Sequence, residues 1–336
     1  MDDRYSRQVL FPGIGAEGQQ RLAESHAVIA GCGALGCAQA MLLARAGIGR
    51  LTLIDRDYVE RSNLQRQILF DECDAAAALP KAIAAQRRLA AINSGIEIRA
   101  IVEDLDVRNI AELFEGAGLI LDATDNFETR YLINDWCVQN SVPWIYGAAV
   151  GSYGISMPVL PARGACFRCI YPSPPMGDQP TCETAGVLNP VTTAVGALQA
   201  ANGLKLLSGH GADLELRIVT LDVWTGAFRS IVQPPRDPDC PCCGQHDFAY
   251  LERSRRAPVS LCGRNAVQIH DRSRPLDLAQ LKVKLGRLGD VRANEFALRF
   301  TVEAYDLTIF PDGRAIIKGT TDVGIARGLY SRYIGN

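Results

Sequence analysis

The sequence predicts an α/β protein: a doubly wound, mostly parallel sheet extended by antiparallel strands, then a small C-terminal α+β module. Three observations carry that expectation. Short apolar runs alternate with helical stretches as far as Tyr146, the pattern that sets parallel strands side by side through right-handed crossovers. Beyond Gly147 the runs shorten and are punctuated by glycine and proline, as in antiparallel hairpins. A fresh alternation of strand and helix begins near Pro258, after a basic stretch over residues 253–256.

In order along the chain, residues 27–30 are a short apolar run ending at Gly31, and 35–46 are a helix. Residues 51–54 form a second strand ending at Asp55. Pro80 opens a helix that reaches about Asn93, since proline at a first helical position gives up no intrahelical bond. Residues 96–101 alternate apolar and polar as a strand does. Residues 119–121 are a short buried strand running into Asp122-Ala-Thr-Asp125, followed by a helix over 127–139 and a strand over 143–146. Residues 151–160 read as short antiparallel strands, and 172–180, rich in proline and glycine, as a mobile loop. A long helix over 187–207 carries Ala194, Gly196, Ala197, Ala200 and Ala201, which permit close packing. Residues 216–222 and 227–232 flank Trp224-Thr-Gly226 as a hairpin. The last module reads as a helix (276–288), strands (295–300 and 305–310), a Pro311-Asp312-Gly313 turn, a strand (314–317) and a terminal helix (323–333). The expected domains are residues 1–245 and 258–336.

Composition narrows the function. Of 336 residues, 48% are hydrophobic, enough for a substantial core, while 21% charged residues and a net charge of -2 give no basic field for nucleic acid. No apolar stretch is long enough to span a bilayer. Met1-Asp2-Asp3-Arg4 lacks the basic-then-apolar pattern of a secretory signal, so no membrane association and a cytoplasmic location are expected. Eleven cysteines without a signal point to a reduced compartment rather than a disulfide framework. Cys32, Cys37, Cys73, Cys137 and Cys262 stand alone in apolar or helical surroundings and are read as small core residues.

Gly31-Cys-Gly33-Ala-Leu-Gly36 follows a strand and opens a helix, which suits a Rossmann-like site where free N–H groups meet negative oxygens. Asp55, ending the next strand, suits a ribose. Alone, this loop fits a nicotinamide dinucleotide, or only close helix–strand packing. Further polar groups shift the reading to a polyphosphate. Arg4-Tyr-Ser-Arg7-Gln8 lies at the N-terminus, Asn63-Leu-Gln-Arg66-Gln67 follows Asp55, and Lys81 occupies a first helical turn. Thr124-Asp125-Asn126 ends a parallel strand, where ligands bind in such sheets. A lysine in a first helical turn opposes the helix dipole unless an anion shares the site. Asp125 offers the hard oxygen that Mg²⁺ takes beside phosphates.

Two C-x-x-C pairs, Cys166-Phe-Arg-Cys169 and Cys240-Pro-Cys242-Cys243, suit a closed tetrahedral Zn²⁺ site with Cys166, Cys169, Cys240 and Cys243 as ligands and Cys242 as the spare. A redox dithiol is the rival reading. Cys182 precedes the long helix, where a thiol is a candidate for covalent chemistry or simply closes a loop.

The motifs RYSRQ, GCGALG, NLQRQ and DATDN, in this order and spacing, resemble the ThiF/MoeB adenylyltransferases, relatives of the ubiquitin-activating enzymes, from about Arg4 to Gly244. The resemblance implies a homodimer that binds ATP and Mg²⁺ and carries structural zinc at the paired cysteines. It implies that Arg7 reaches across the dimer toward the partner's triphosphate, that Asn63, Arg66 and Lys81 hold phosphates, that Asp55 holds the ribose, and that Asp125 serves metal and adenylate chemistry. The implied reaction adenylates the C-terminal glycine carboxylate of a small β-grasp sulfur-carrier protein ending in Gly-Gly, after which a persulfide sulfur donor displaces AMP to leave a thiocarboxylate. Carriers of the thiamine and the molybdopterin pathways both fit. Cys182 and the extra C-terminal segment, found in some longer members, favour thiamine. An NAD-dependent oxidoreductase and a non-catalytic carrier-binding module are the alternatives.

Overall fold

The computed structural model describes residues 3–161, 163–174, 184–252, 259–261, 266–270 and 276–335. The chain divides into two compact units, Met1–Ala76 with Pro80–Ser254, and Ala77–Leu79 with Arg255–Asn336. No helix among the described residues is long and apolar enough to cross a membrane.

The first unit opens with two helices that the sequence pattern did not reveal, α1 (Ser6–Val9) and α2 (Gly15–Glu24). Then come β1 (His26–Ala30), α3 (Ala34–Ala46), β2 (Arg50–Ile54), α4 (Glu72–Ala76), α5 (Lys81–Ile92), β3 (Glu97–Ile101), α6 (Ile110–Leu113), β4 (Leu119–Asp122) and α7 (Phe127–Gln139). Next are β5 (Trp144–Val150), β6 (Tyr153–Val159), α8 (Phe167–Ile170), α9 (Asn189–Lys205), β7 (Arg217–Asp222), β8 (Ala227–Val232) and α10 (Ala249–Glu252). One eight-stranded sheet runs β3-β2-β1-β4-β5-β6-β7-β8. Pairing is parallel from β3 to β5 and antiparallel from β5 to β8. Residues 151–160 are therefore one strand plus its turn rather than several short strands.

The inner parallel strands are apolar on both faces, as sheets covered by helices on either side require: β1, β2 and β4 are buried nearly throughout, while the edge strand β3 alternates. One face packs Val28, Ile54, Phe114, Ile120, Tyr131, Trp136 and Trp144 into a core that continues to Cys166 and Phe167. On the other face α9 approaches α3 closely. A methyl added at Gly196 would lie 2.7 Å from the Ala38 side chain, so the small residues of α9 let the two helices pack near each other.

The second unit holds β9 (Val259–Leu261), β10 (Ala266–His270), α11 (Leu278–Leu285), β11 (Asp290–Ala293), β12 (Leu298–Val302), β13 (Tyr305–Ile309), β14 (Arg314–Lys318) and α12 (Val323–Tyr333). Its antiparallel sheet runs β11-β12-β13-β14-β10-β9. Apolar residues of α11 and α12, among them Leu281, Leu285, Ala326 and Leu329, share a core with Phe300, Leu307 and Ile317 of the sheet. Asp277 and Asp322 cap the two helices through backbone N–H groups, which fixes where each begins.

Cys32, Cys37 and Cys137 are buried as expected, but Cys73 is exposed. It sits in the short α4, whose residues contribute nothing to the core. Cys182, Cys262, Pro258, residues 175–180 of the expected loop and the basic stretch 253–256 lie outside the described residues.

Candidate active site

The strand order 3-2-1-4-5 reverses direction between β1 and β4, and the crevice above such a reversal is where open α/β sheets bind ligands. Two loops meet there. Gly31 has φ +101°, and a Cβ on it would lie 2.6 Å from the Ala123 carbonyl oxygen; one on Gly36 would lie 2.0 Å from the Gly31 oxygen. These two glycines press the β1–α3 turn against the turn after β4. Gly33 differs, since a Cβ there would meet nothing within 4 Å. It sits at the N-cap of α3, where no side chain caps the first-turn N–H groups. An uncapped helix N-terminus is the arrangement that receives anionic oxygens.

Asp55 ties this loop to the end of β2. One carboxylate oxygen accepts from Cys32 N (2.7 Å) and the other from Asp57 N (2.7 Å). Burial raises its pKa, while Lys81 and the two N–H donors pull it down. The held carboxylate keeps lone pairs for hydroxyl donors. Lys81 joins the same group of residues. Its backbone N donates to Asp57 O (2.8 Å), and its ammonium lies 3.1 Å from Asp57 Oδ2. The lysine is buried at the start of α5, where the helix dipole disfavours a cation, so Asp57 supplies the counter-charge. Sequence reasoning missed Asp57; its position two residues after Asp55 was the available signal.

Asn63 is buried, and its side-chain oxygen accepts from Glu60 N (3.0 Å), closing a capping box around the 3₁₀ turn Arg61–Asn63. Arg66 Nη1 donates to Ser62 O (2.8 Å). Gln67 is buried, and its Oε1 has no hydrogen-bond partner among the described residues. A bridge between Tyr58 and Pro80 ties the start of this loop to the start of α5.

Asp125 and Asn126 are exposed after β4. The Asn126 side chain accepts from Thr129 N (2.9 Å) and so caps α7. The turn before Asp125 is held from within: Asp122 Oδ1 accepts from Thr124 N (2.9 Å) and Thr124 Oγ1 (2.6 Å), and Arg130 Nε lies 3.2 Å from Asp122 Oδ2. The sequence reading carried Asp122 only as the first residue of DATDN and gave Arg130 no part, because only the folded turn brings them together.

Arg7 is exposed and is not brought to this crevice within its own chain. The N-terminal arm is docked at the far ends of α3 and α5, through Gln8 Nε2 to Ala46 O (2.9 Å), Arg4 Nη1 to Ile92 O (2.8 Å) and Asn93 Nδ2 to Tyr5 OH (2.8 Å). The thirteen residues of α3 place about 20 Å between that end and the glycine turn.

The second constellation is a thiol cluster. The sulfurs of Cys166, Cys169, Cys240 and Cys243 all lie within 4.8 Å of one another. The sulfurs of Cys166 and Cys240, Cys166 and Cys169, and Cys169 and Cys243 are 3.7, 3.8 and 3.4 Å apart. A tetrahedral ion with metal–sulfur bonds of about 2.3 Å would have sulfurs about 3.8 Å apart. Cys242 stands beside this set: Asn134 Nδ2 donates to its sulfur (3.2 Å), and Asn134 Oδ1 accepts from Phe167 N (2.9 Å). Asn134 lies on α7, so the helix that begins beside Asp125 also braces the cluster.

Comparison with known proteins agrees with this geometry. The ThiF family model matches residues 5–242. The chain belongs to the ThiF family. Among curated ThiF-family relatives, the sulfur carrier protein ThiS adenylyltransferase of Bacillus subtilis (strain 168) is 43% identical over 340 residues, covering 100% of both chains. The SAMP-activating enzyme E1 of Haloferax volcanii is 38% identical over 258 residues, covering 74% of this chain and 94% of its own. Among solved structures, E. coli MccB with ATP aligns at a TM-score of 0.63 and 26% identity, covering 72% of this chain and 75% of that one.

Proposed function

We propose that this chain uses ATP to adenylate the C-terminal glycine carboxylate of a small β-grasp sulfur-carrier protein, releasing pyrophosphate. The observation that carries the reading is full-length identity of 43% to a ThiS adenylyltransferase, joined to a crevice that presents an uncapped helix N-terminus at Gly33 and Lys81 close by through Asp57 and Asp55. The α3 N-terminus and Lys81 receive phosphates, with Asn63, Arg66 and Gln67 on the adjoining loop. Asp55 accepts from the ribose hydroxyls. Asp125, an exposed carboxylate on a braced turn, is suited to carry Mg²⁺.

A carboxylate oxygen of the carrier attacks the α-phosphorus in line. The bond to the bridging oxygen breaks, and pyrophosphate leaves with the electron pair. The carboxylate is already ionised at neutral pH, so catalysis rests on positioning and charge neutralisation rather than a general base. Arg7, remote from its own crevice, serves that of a second copy in a homodimer. The four-thiol cluster holds structural zinc, which ties the segment around Cys240 to α8. In a second step the terminal sulfur of a persulfide donor protein displaces AMP from the acyl-adenylate to give an acyl disulfide. A thiolate, with Cys182 as the candidate, then attacks the donor's sulfur, so that the S–S bond breaks, the thiocarboxylate leaves and a disulfide remains. The full-length relative favours a thiamine-type carrier.

Carrier-dependent exchange of labelled pyrophosphate into ATP tests the reading. Asp125→Ala should abolish exchange in a folded protein. Exchange by neither wild type nor variant, with the carrier still captured, would instead mark a binding module; nicotinamide-dependent turnover would mark an oxidoreductase.

A further inference from the structure

Behind the turn that carries Asp125 lies a buried polar network that the adenylation reading does not use. The main-chain oxygen of Asp122 accepts from two side-chain amides, Gln39 Nε2 (3.1 Å) from α3 and Gln199 Nε2 (2.8 Å) from α9. Gln199 also donates to Ile145 O (3.0 Å) on β5 and accepts from Gln39 Nε2 (2.6 Å). Both glutamines are 0% exposed. A side chain at Gly147 would lie 2.4 Å from the Gln199 amide carbon, so β5 leaves room for this amide. On the opposite side Arg130 Nη2 donates to Thr124 O (2.6 Å), while Arg130 Nε meets the Asp122 carboxylate.

Buried amides and a buried ion pair are costly relative to apolar packing, and Gln39 Oε1 lacks a hydrogen-bond partner among the described residues. Leucines would fill the same space but would take these donors away from the Asp122 and Ile145 carbonyls. What the network does accomplish is geometric. It fixes residues 122 and 124 by backbone carbonyl and by side chain, immediately before Asp125, while the Asn126 cap fixes the backbone immediately after.

We propose that Gln39, Gln199 and Arg130 form a clamp that positions the Asp125 carboxylate, making them positioning residues for the adenylation step. The proposal rests on the assignment of Asp125 to Mg²⁺ and phosphate. By this account α9, the helix that follows Cys182 in the chain, reports its placement to the catalytic turn through Gln199.

The test measures carrier-dependent pyrophosphate exchange in Gln199→Leu, Gln39→Leu and Asp125→Ala, with thermal unfolding of each and the active fraction titrated by ATP binding. A misplacement of about 1 Å costs up to about a hundredfold, so the clamp variants should lose about 10- to 100-fold in kcat. Their KM for ATP should change less than about threefold, since Gly33 and Asp55 are untouched, and the Mg²⁺ activation midpoint should rise. Gln39→Leu gives the answer if Gln199→Leu does not fold. An inactive Asp125→Ala beside clamp variants of normal kcat and normal Mg²⁺ midpoint, even with lowered Tm, would overturn the clamp. Full exchange by Asp125→Ala would remove the role of Asp125, and the clamp with it.

Discussion

Replacing Asp57 by asparagine asks whether Lys81 is a phosphate ligand held by a resting counter-ion. The pair is 3.1 Å apart, with side chains 7% and 18% exposed for Lys81 and Asp57. Removing one member of a buried pair costs about 3–5 kcal/mol, because the other charge is left uncompensated. Asp55 shares the electrostatic field of the lysine and asparagine keeps an oxygen, so the low end, about 3 kcal/mol, applies. For a unit of this size that is a fall of about 6–12 °C in Tm. Trp136, Trp144 and Trp224, the three tryptophans of the chain, all lie in the first unit, so their fluorescence follows its unfolding. ATP without added divalent cation isolates the contact between lysine and phosphate. At about 100 times Kd it stabilises the wild type by about 2.7 kcal/mol. At the same ATP concentration the variant should gain at least about 1 kcal/mol more, since phosphate replaces the missing carboxylate. Equal gains in the two proteins would show that Lys81 does not meet the phosphates.

Three further outcomes are expected. Cys243→Ser should abolish stoichiometric zinc binding. In the metal-free cluster burial pushes the Cys243 thiol up to about 11, so zinc loading at neutral pH should release protons and weaken as pH falls; loading without proton release would contradict the thiolate site. Burial lowers the His26 pKa below 6.5, so its contribution to stability is present above pH 6.5 and is lost as pH falls through the folded value. Unfolding midpoints measured downward from pH 7 should decline, and His26→Gln should flatten that decline; an unchanged slope would refute the assignment. Cys182→Ser should leave pyrophosphate exchange intact while impairing thiocarboxylate formation on the carrier, read by mass spectrometry, and loss of exchange would place the thiol in the first step.

The parallel half of the sheet was legible because Gly31, Asp55 and Pro80 punctuate it, its inner strands are apolar on both faces and β3 alternates. The α2 segment was not legible: Gly15–Glu24 is polar and small, with Leu22 its one large buried apolar side chain, so no periodic stripe announces it. In the second unit β9, β10 and β11 escaped notice, β9 and β11 because they are short edge strands, β11 with polar alternation as well. At the site, Asp55, Lys81 and the glycines follow from local signals tied to strand ends and helix starts. Asp57, Arg130, Gln39 and Gln199 do not, since their roles come from contacts made only across elements: Gln199 meets Asp122 from 77 positions away. Arg7 was legible as a motif residue, but its distance from its own crevice depends on where the arm docks. Cys73 read as core because cysteine is commonly buried; the shallow seat of α4 decided otherwise.

The central claim is tested most directly by the intact mass of the carrier after a single turnover. A Gly-Gly-ending thiamine-type carrier incubated with the enzyme, ATP and Mg²⁺ should gain the mass of one AMP group at its C-terminal glycine, with pyrophosphate formed in equal amount and both lost in Asp125→Ala. An unmodified carrier in the presence of folded, ATP-bound enzyme would contradict the account.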